Sequence, residues 1–338
     1  MAQKCVFCGG TPKNKNKEHV VPQWLSKYLG RYKAVCHLGN VTPAEIPFSA
    51  LTFPACEKCN SDDANLEGAA KGIVEKLMES KSVTGQEVSI LMDWFDKLRT
   101  GIWLGELMLS KRIDDIDPNF YINDRIGLKD RMLIIESFDS KGQGLGLAGV
   151  DTKMFMYTPS VFQLWMHNVL ITSASATGLV SNKLGFPQMS NVKITEKREG
   201  SMKLLPGRNK TVHPVVMGLN ATNKTILYQP IFKEFKQMSF YDVPYVHNHS
   251  YDYDAGIGGV FFQKNNNEIK YLAPQDKLNL IPKKQPESLR CDSLKRVFQL
   301  QNYVVETLCK NGFDNPQCQN DKDMCLRINN MYIKSLSR

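Results

Sequence analysis

Cysteines stand at positions 5, 8, 56 and 59, as two Cys-x2-Cys pairs separated by 47 residues. Four thiolates so paired suit a tetrahedral zinc ion, which takes soft sulfur ligands at about 2.3 Å. Cys36 and His37 compete for a ligand position, at a spacing that fits less well. Between the pairs lies Glu18-His19, a hard oxygen donor beside an imidazole. On an extended segment adjacent side chains point to opposite faces, so the chain must bend for both to serve one site. A catalytic Mg²⁺ or Mn²⁺ needs few protein ligands because it keeps waters and phosphate oxygens. Glu18 with one further donor is enough for such an ion. Asn60 directly follows the last thiolate, so the knuckle that holds Cys59 also fixes Asn60. His19 is neutral near pH 7 and suited to take a proton from water. A histidine of this kind also reads as a surface residue, as a support for a ligand, or as an extra zinc ligand.

Three segments, Cys5-Val6-Phe7-Cys8, Lys17-Glu18-His19-Val20-Val21-Pro22-Gln23-Trp24-Leu25 and Cys56-Glu57-Lys58-Cys59-Asn60, resemble the HNH endonucleases. The resemblance is to the bacterial branch with a Cys-x2-Cys, Glu-His-x-x-Pro, Cys-x2-Cys-Asn layout, over about the first 70 residues. It implies a ββα-metal, treble-clef-like module with structural zinc on Cys5, Cys8, Cys56 and Cys59. It implies Glu18 and Asn60 as ligands of a catalytic Mg²⁺ or Mn²⁺, and His19 as the general base. The reaction implied is hydrolysis of a phosphodiester in double-stranded DNA, with roles such as restriction or anti-phage defence. The middle asparagine of the family is missing: Phe48 to Phe53 contains none, Asn40 lies far upstream, and Asn65 is a substitute only from the following helix. That departure keeps open a second reading, a zinc-held module that grips nucleic acid without cutting it. Lys13, Lys15, Lys17, Lys27, Arg31 and Lys33 flank the site and could contact phosphates, or form a solvated basic face.

These residues need elements to hold them. The chain reads as α+β. A zinc module over residues 1–82 precedes a mixed helix and strand domain over 83–284 and a helical segment over 285–338. A helix is expected to begin near Asn60, with Asp62 and Asp63 in its first turn and Ala64, Ala69, Ile73 and Leu77 as its apolar stripe. Val88, Leu91, Met92, Phe95, Leu98 and Ile102 predict a second helix over 84–112. Residues 130–232 read mainly as strands, and Ser288 to Asn311 as an amphipathic helix. Cys291, Cys309, Cys318 and Cys325 lack a short pair and read as packing residues. His247 and His249 read as a polar turn, and Gly142 to Gly149 lacks the lysine and helix of a phosphate loop.

The net charge of +9 over 338 residues favours a polyanionic partner, and a homodimer is compatible with the sequence. The 42% hydrophobic content excludes disorder, collagen and coiled coil. No secretory signal and no apolar run long enough for a bilayer are visible, which points to a cytoplasmic protein without membrane contact.

Overall fold

A computed structural model describes residues 4–11, 16–31, 35–38, 44–109, 121–127, 130–140, 144–149, 161–174, 178–194, 200–205, 207, 214–220, 224–230, 259–264, 268–310 and 316–337. The chain is a mixed α/β protein. It opens with β1 (Asn16–His19), α1 (Gln23–Tyr28), β2 (Val35–Leu38), β3 (Ala44–Pro47), β4 (Thr52–Ala55) and α2 (Glu57–Met78). β5 (Val83–Thr84) leads into α3 (Gly85–Leu109) and the short α4 (Ile122–Arg125). Next come β6 (Arg131–Ser137), β7 (Leu145–Gly149), β8 (Val161–Met166), β9 (Val169–Ala174), α5 (Ser181–Leu184), β10 (Gln188–Ile194), β11 (Gly200–Leu205), α6 (Pro214–Met217) and β12 (Thr225–Gln229). The chain ends with β13 (Val260–Lys264), β14 (Lys270–Leu272), β15 (Lys277–Leu278), α7 (Leu289–Lys310) and α8 (Pro316–Ser335).

Seven strands form an antiparallel sheet in the order β14-β13-β12-β6-β9-β8-β7. Residues of β6, β8, β9 and β12 are buried on both faces. This explains why those segments read as unbroken apolar runs and not as alternating ones. Leu133, Ile135, Leu164 and Ile171 share one core with Leu91, Phe95 and Leu98 of α3. Met132, Ile134, Val161 and Ile226 face the other way and pack with Val297, Leu300 and Val304 of α7.

α3 is the central element. From Trp94 to Gly105 its residues are buried all round, because the sheet lies on one side and the N-terminal residues on the other. Phe95 meets Phe162 of β8 at 5.5 Å between ring centroids. On the opposite side Trp94 meets Trp24 of α1 at 5.9 Å. Gly105 permits the close approach of β4: a Cβ there would come within 2.1 Å of the Phe53 ring. One apolar core therefore runs from Cys5 to Leu280, across residue 82 without a break.

Burying α3 buries its charges, and each has a partner. Asp96 accepts from Arg99, from Arg131 of β6 at 3.0 Å and from the backbone N–H of Gly127 at 3.0 Å. No helix among the described residues is long and apolar enough to cross a membrane. Cys309, Cys318 and Cys325 pack with Val305 between α7 and α8, as expected for cysteines used as small apolar residues, whereas Cys291 is exposed and does not share that role. His247 and His249 lie outside the described residues.

Under α7 the sheet carries a buried cluster of charged side chains. Glu136 of β6 is ion-paired to Arg296, and Lys224, only 6% exposed, donates to the Gly218 carbonyl at 2.6 Å. Burial, reinforced by Arg296, pushes the Lys224 pKa down to about 8. A base held below its unfolded pKa is neutral in the folded chain while the unfolded chain still binds the proton. Its contribution to stability therefore grows as pH rises from about 8 towards 10.5 and is lost as pH falls through 8. The Lys224→Met variant should gain stability relative to the parent below pH 8, by up to about 3 kcal/mol. That difference should shrink towards pH 10.5, as read by urea unfolding at a series of pH values. A difference that does not vary with pH would remove Lys224 as its source.

Candidate metal centre and acidic cluster

The first knuckle is a tight turn. Cys5 N–H donates to the Gly10 carbonyl at 2.8 Å, and Gly9 N–H donates to the Cys5 carbonyl at 2.9 Å. Gly9 sits at φ +72°, in the left-handed region that favours glycine, with the Tyr121 ring packed against it. The second knuckle is the start of α2, where Cys56 is the N-cap in extended conformation. α2 thus begins at Glu57, three residues before the expected start at Asn60, and Asp62 and Asp63 fall in its second turn.

The two knuckles meet. The sulfurs of Cys5, Cys8, Cys56 and Cys59 all lie within 4.8 Å of one another, with Cys8 and Cys56 4.0 Å apart. Tetrahedral sulfur at about 2.3 Å from zinc requires sulfur pairs about 3.8 Å apart. The donor set and its spacing therefore fit zinc. The Cys56 N–H donates to the Cys5 sulfur at 3.2 Å, and the Asn123 amide reaches the Cys59 sulfur at 3.8 Å. Burial raises the pKa values of the Cys8 and Cys59 thiols, whereas the Cys59 backbone N–H lowers that of Cys56. Thiols so crowded resist ionising together, and a bound cation is what reverses that order.

β1 pairs antiparallel with β4, Glu18 opposite Phe53 and His19 opposite Thr52. Side chains directly opposite share a face, and neighbours along a strand do not. Glu18 goes with Phe53 towards α3. His19 goes to the other face with Lys17, which is exposed. The bend that would turn Glu18 and His19 to one side is absent from this strand.

On the outer face His19 is half-buried. Its Nε2 lies 2.9 Å from the amide nitrogen of Gln23, and Lys27 donates to the Gln23 amide oxygen at 3.1 Å. Because the ammonium can only donate, it fixes which end of the amide is oxygen. The tautomer with its proton on Nδ1 lets the amide N–H donate to Nε2. The Ser49 carbonyl, 3.3 Å from Nε2, would accept from the other tautomer. Arg31 is exposed beyond α1. Lys13, Lys15 and Lys33 lie outside the described residues, as do the side chains of Cys36 and His37.

On the inner face Glu18 enters a cluster that sequence reasoning missed. Lys97 of α3 donates to Glu18 at 2.9 Å, to Glu67 at 2.5 Å and to Asp63. The three carboxylates reach within 4.8 Å of one another around the ammonium. Glu67 is filled from both sides: one oxygen also accepts from the Trp94 indole at 3.3 Å, and the other from the Trp24 indole at 3.0 Å. Burial pushes Asp63 up to about 6 against the pull of Lys97. Burial also opposes the charge on Lys97, yet the carboxylates, Glu67 foremost, more than offset it and raise its pKa. Asn60 is half-buried in the first turn of α2, and no side-chain hydrogen bond joins it to Glu18 among the described residues. In this arrangement the Glu18 carboxylate meets the Lys97 ammonium.

No family model matches the chain, and neither does any curated protein or solved structure.

The thiolate centre gives a direct expectation. Protein purified without chelator should hold about one zinc per chain by elemental analysis, and the Cys56→Ala variant markedly less. Stripping zinc should melt the packing of Trp24 on Trp94, seen as loss of near-ultraviolet circular dichroism. An unchanged spectrum and melting curve after zinc removal would rule out a structural ion.

Proposed function

We propose that residues of the N-terminal third form an HNH-type, ββα-metal module that acts on nucleic acid, with His19 as the base in phosphodiester hydrolysis. What carries this reading is the outer face of β1 and α1. An imidazole whose Nε2 lies 2.9 Å from the Gln23 amide nitrogen stands beside exposed Lys17 and Lys27. The amide of Gln23 marks the direction in which Nε2 presents its lone pair. A water taking the place of that amide could give its proton to His19, and the lysines could hold the phosphates on either side. The zinc-compatible centre supports the same reading by tying the first knuckle to the β1–β4 pair and the start of α2. Mg²⁺ or Mn²⁺ belongs to this reading as a requirement for cutting to be tested.

One observation favours a second reading, binding of nucleic acid without hydrolysis: the acidic partner expected at the metal is committed to Lys97. Incubating the full chain with plasmid DNA and with RNA, with Mg²⁺, with Mn²⁺ and with chelator, separates the two. The hydrolytic reading expects cutting that falls at least about 100-fold in His19→Ala while zinc content and melting temperature stay put. Cutting that survives His19→Ala ends the role of that residue. A gel shift without cutting, weakened in the Lys17→Ala/Lys27→Ala variant, establishes the second reading instead.

A further inference from the structure

Lys97 is among the most deeply buried charges of the described residues. It is 1% exposed, on a helix covered on every side. Lysines near a surface extend their stems so that the ammonium reaches water. This one has no such route: its ammonium lies over the Phe7 ring at 5.8 Å and ends among Glu18, Asp63 and Glu67. The carboxylates come from two separate elements, β1 and α2, and the ammonium from a third, α3. Three oxygens converging on one point from different directions is how proteins arrange ligands for a hard cation. Here the point of convergence holds a nitrogen. The surroundings are also built for N–H donors: Glu67 accepts from the indoles of Trp24 and Trp94, and neither ring can move without breaking the contact between them.

We propose that Lys97 is the built-in cation of this cluster, a tethered ammonium seated where Glu18, Asp63 and Glu67 would otherwise take a divalent metal ion. The seat is then filled whenever α3 is docked, and no free ion is needed to hold β1 in place. Removing the ammonium should turn the cluster into a metal site. The alternative is that the leftover negative charge recruits a divalent ion alongside Lys97, and it gives a different result in the unaltered protein. The inference goes beyond the hydrolytic reading and does not need it, because cation binding is measured without nucleic acid.

The test uses the full, zinc-loaded chain and Mn²⁺ alone as the probe. Binding is followed by electron paramagnetic resonance of free Mn²⁺ and by the shift in melting temperature. The unaltered protein should show no site that responds to Glu18→Gln. Lys97→Met should melt lower, recover on addition of Mn²⁺, and bind one ion. Because Lys97→Met leaves three buried carboxylates unpaired, a second variant, Lys97→Met/Glu67→Gln, removes one charge while its amide oxygen can still accept from an indole. It should also bind Mn²⁺, and adding Glu18→Gln to it should weaken binding by about tenfold or more. Mn²⁺ bound in the unaltered protein and lost in its Glu18→Gln variant overturns the proposal. So does the failure of both Lys97 variants to bind Mn²⁺, whether they fold or stay unfolded in its presence.

Discussion

A charge withdrawn from water must be met by partners, and α3 carries several such charges through the middle of the molecule. Leaving one buried partner alone costs about 3–5 kcal/mol. α3 can therefore pack only when β1, α2 and β6 are all in place around it. Lys97 faces Glu18, Asp63 and Glu67 on one side, while Asp96 faces Arg131 on the other. The apolar contacts on the same helix add a constraint of their own. Phe53 lies so close to Gly105 that a Cβ there would come within 2.1 Å of the ring. Charge pairing and close packing together hold the helix against both layers.

This constraint explains what could be read in the sequence and what could not. The thiolate centre was legible because its ligands come in pairs two residues apart, and such spacing is rare unless a metal is to be held. The helices over Gly85–Leu109 and Leu289–Lys310 were legible from apolar residues three and four apart. The strands of the sheet were legible as β-branched runs. Zinc-compatible geometry and the mixed α/β architecture follow from these signals. The cluster around Lys97 sends no such signal. Glu18, Asp63, Glu67 and Lys97 are spread over 80 residues of chain and meet only after folding.

One trace of it was present. The expected stripe on α2 ran through Ala64, Ala69, Ile73 and Leu77. The buried face instead begins at Cys59 and Asp63, passes Glu67, and continues through Ala70, Ile73, Val74 and Leu77. Cys59, Asp63 and Glu67 are each four residues apart, which places them on one face. Ala64 and Ala69 are exposed. Weighting by hydrophobicity chose the alanines, although the carboxylates at the same period were the residues turned inward. A lone lysine inside the apolar stripe of α3 was the matching half, because a lysine there must find a carboxylate.

The two clamps on α2 use opposite chemistry on adjacent turns. At Cys59 soft thiolates fit zinc and draw in the knuckle of Cys5 and Cys8. At Asp63 and Glu67 hard carboxylates meet an ammonium and draw in β1 from one side and α3 from the other. The two sets of ligands differ in kind, since thiolates favour a soft metal and the carboxylates here meet an ammonium. The inner face of β1 carries Glu18 to the Lys97 ammonium, and the outer face carries Lys17 and His19. Along one four-residue strand, alternation alone separates the carboxylate that meets Lys97 from the imidazole on the opposite face.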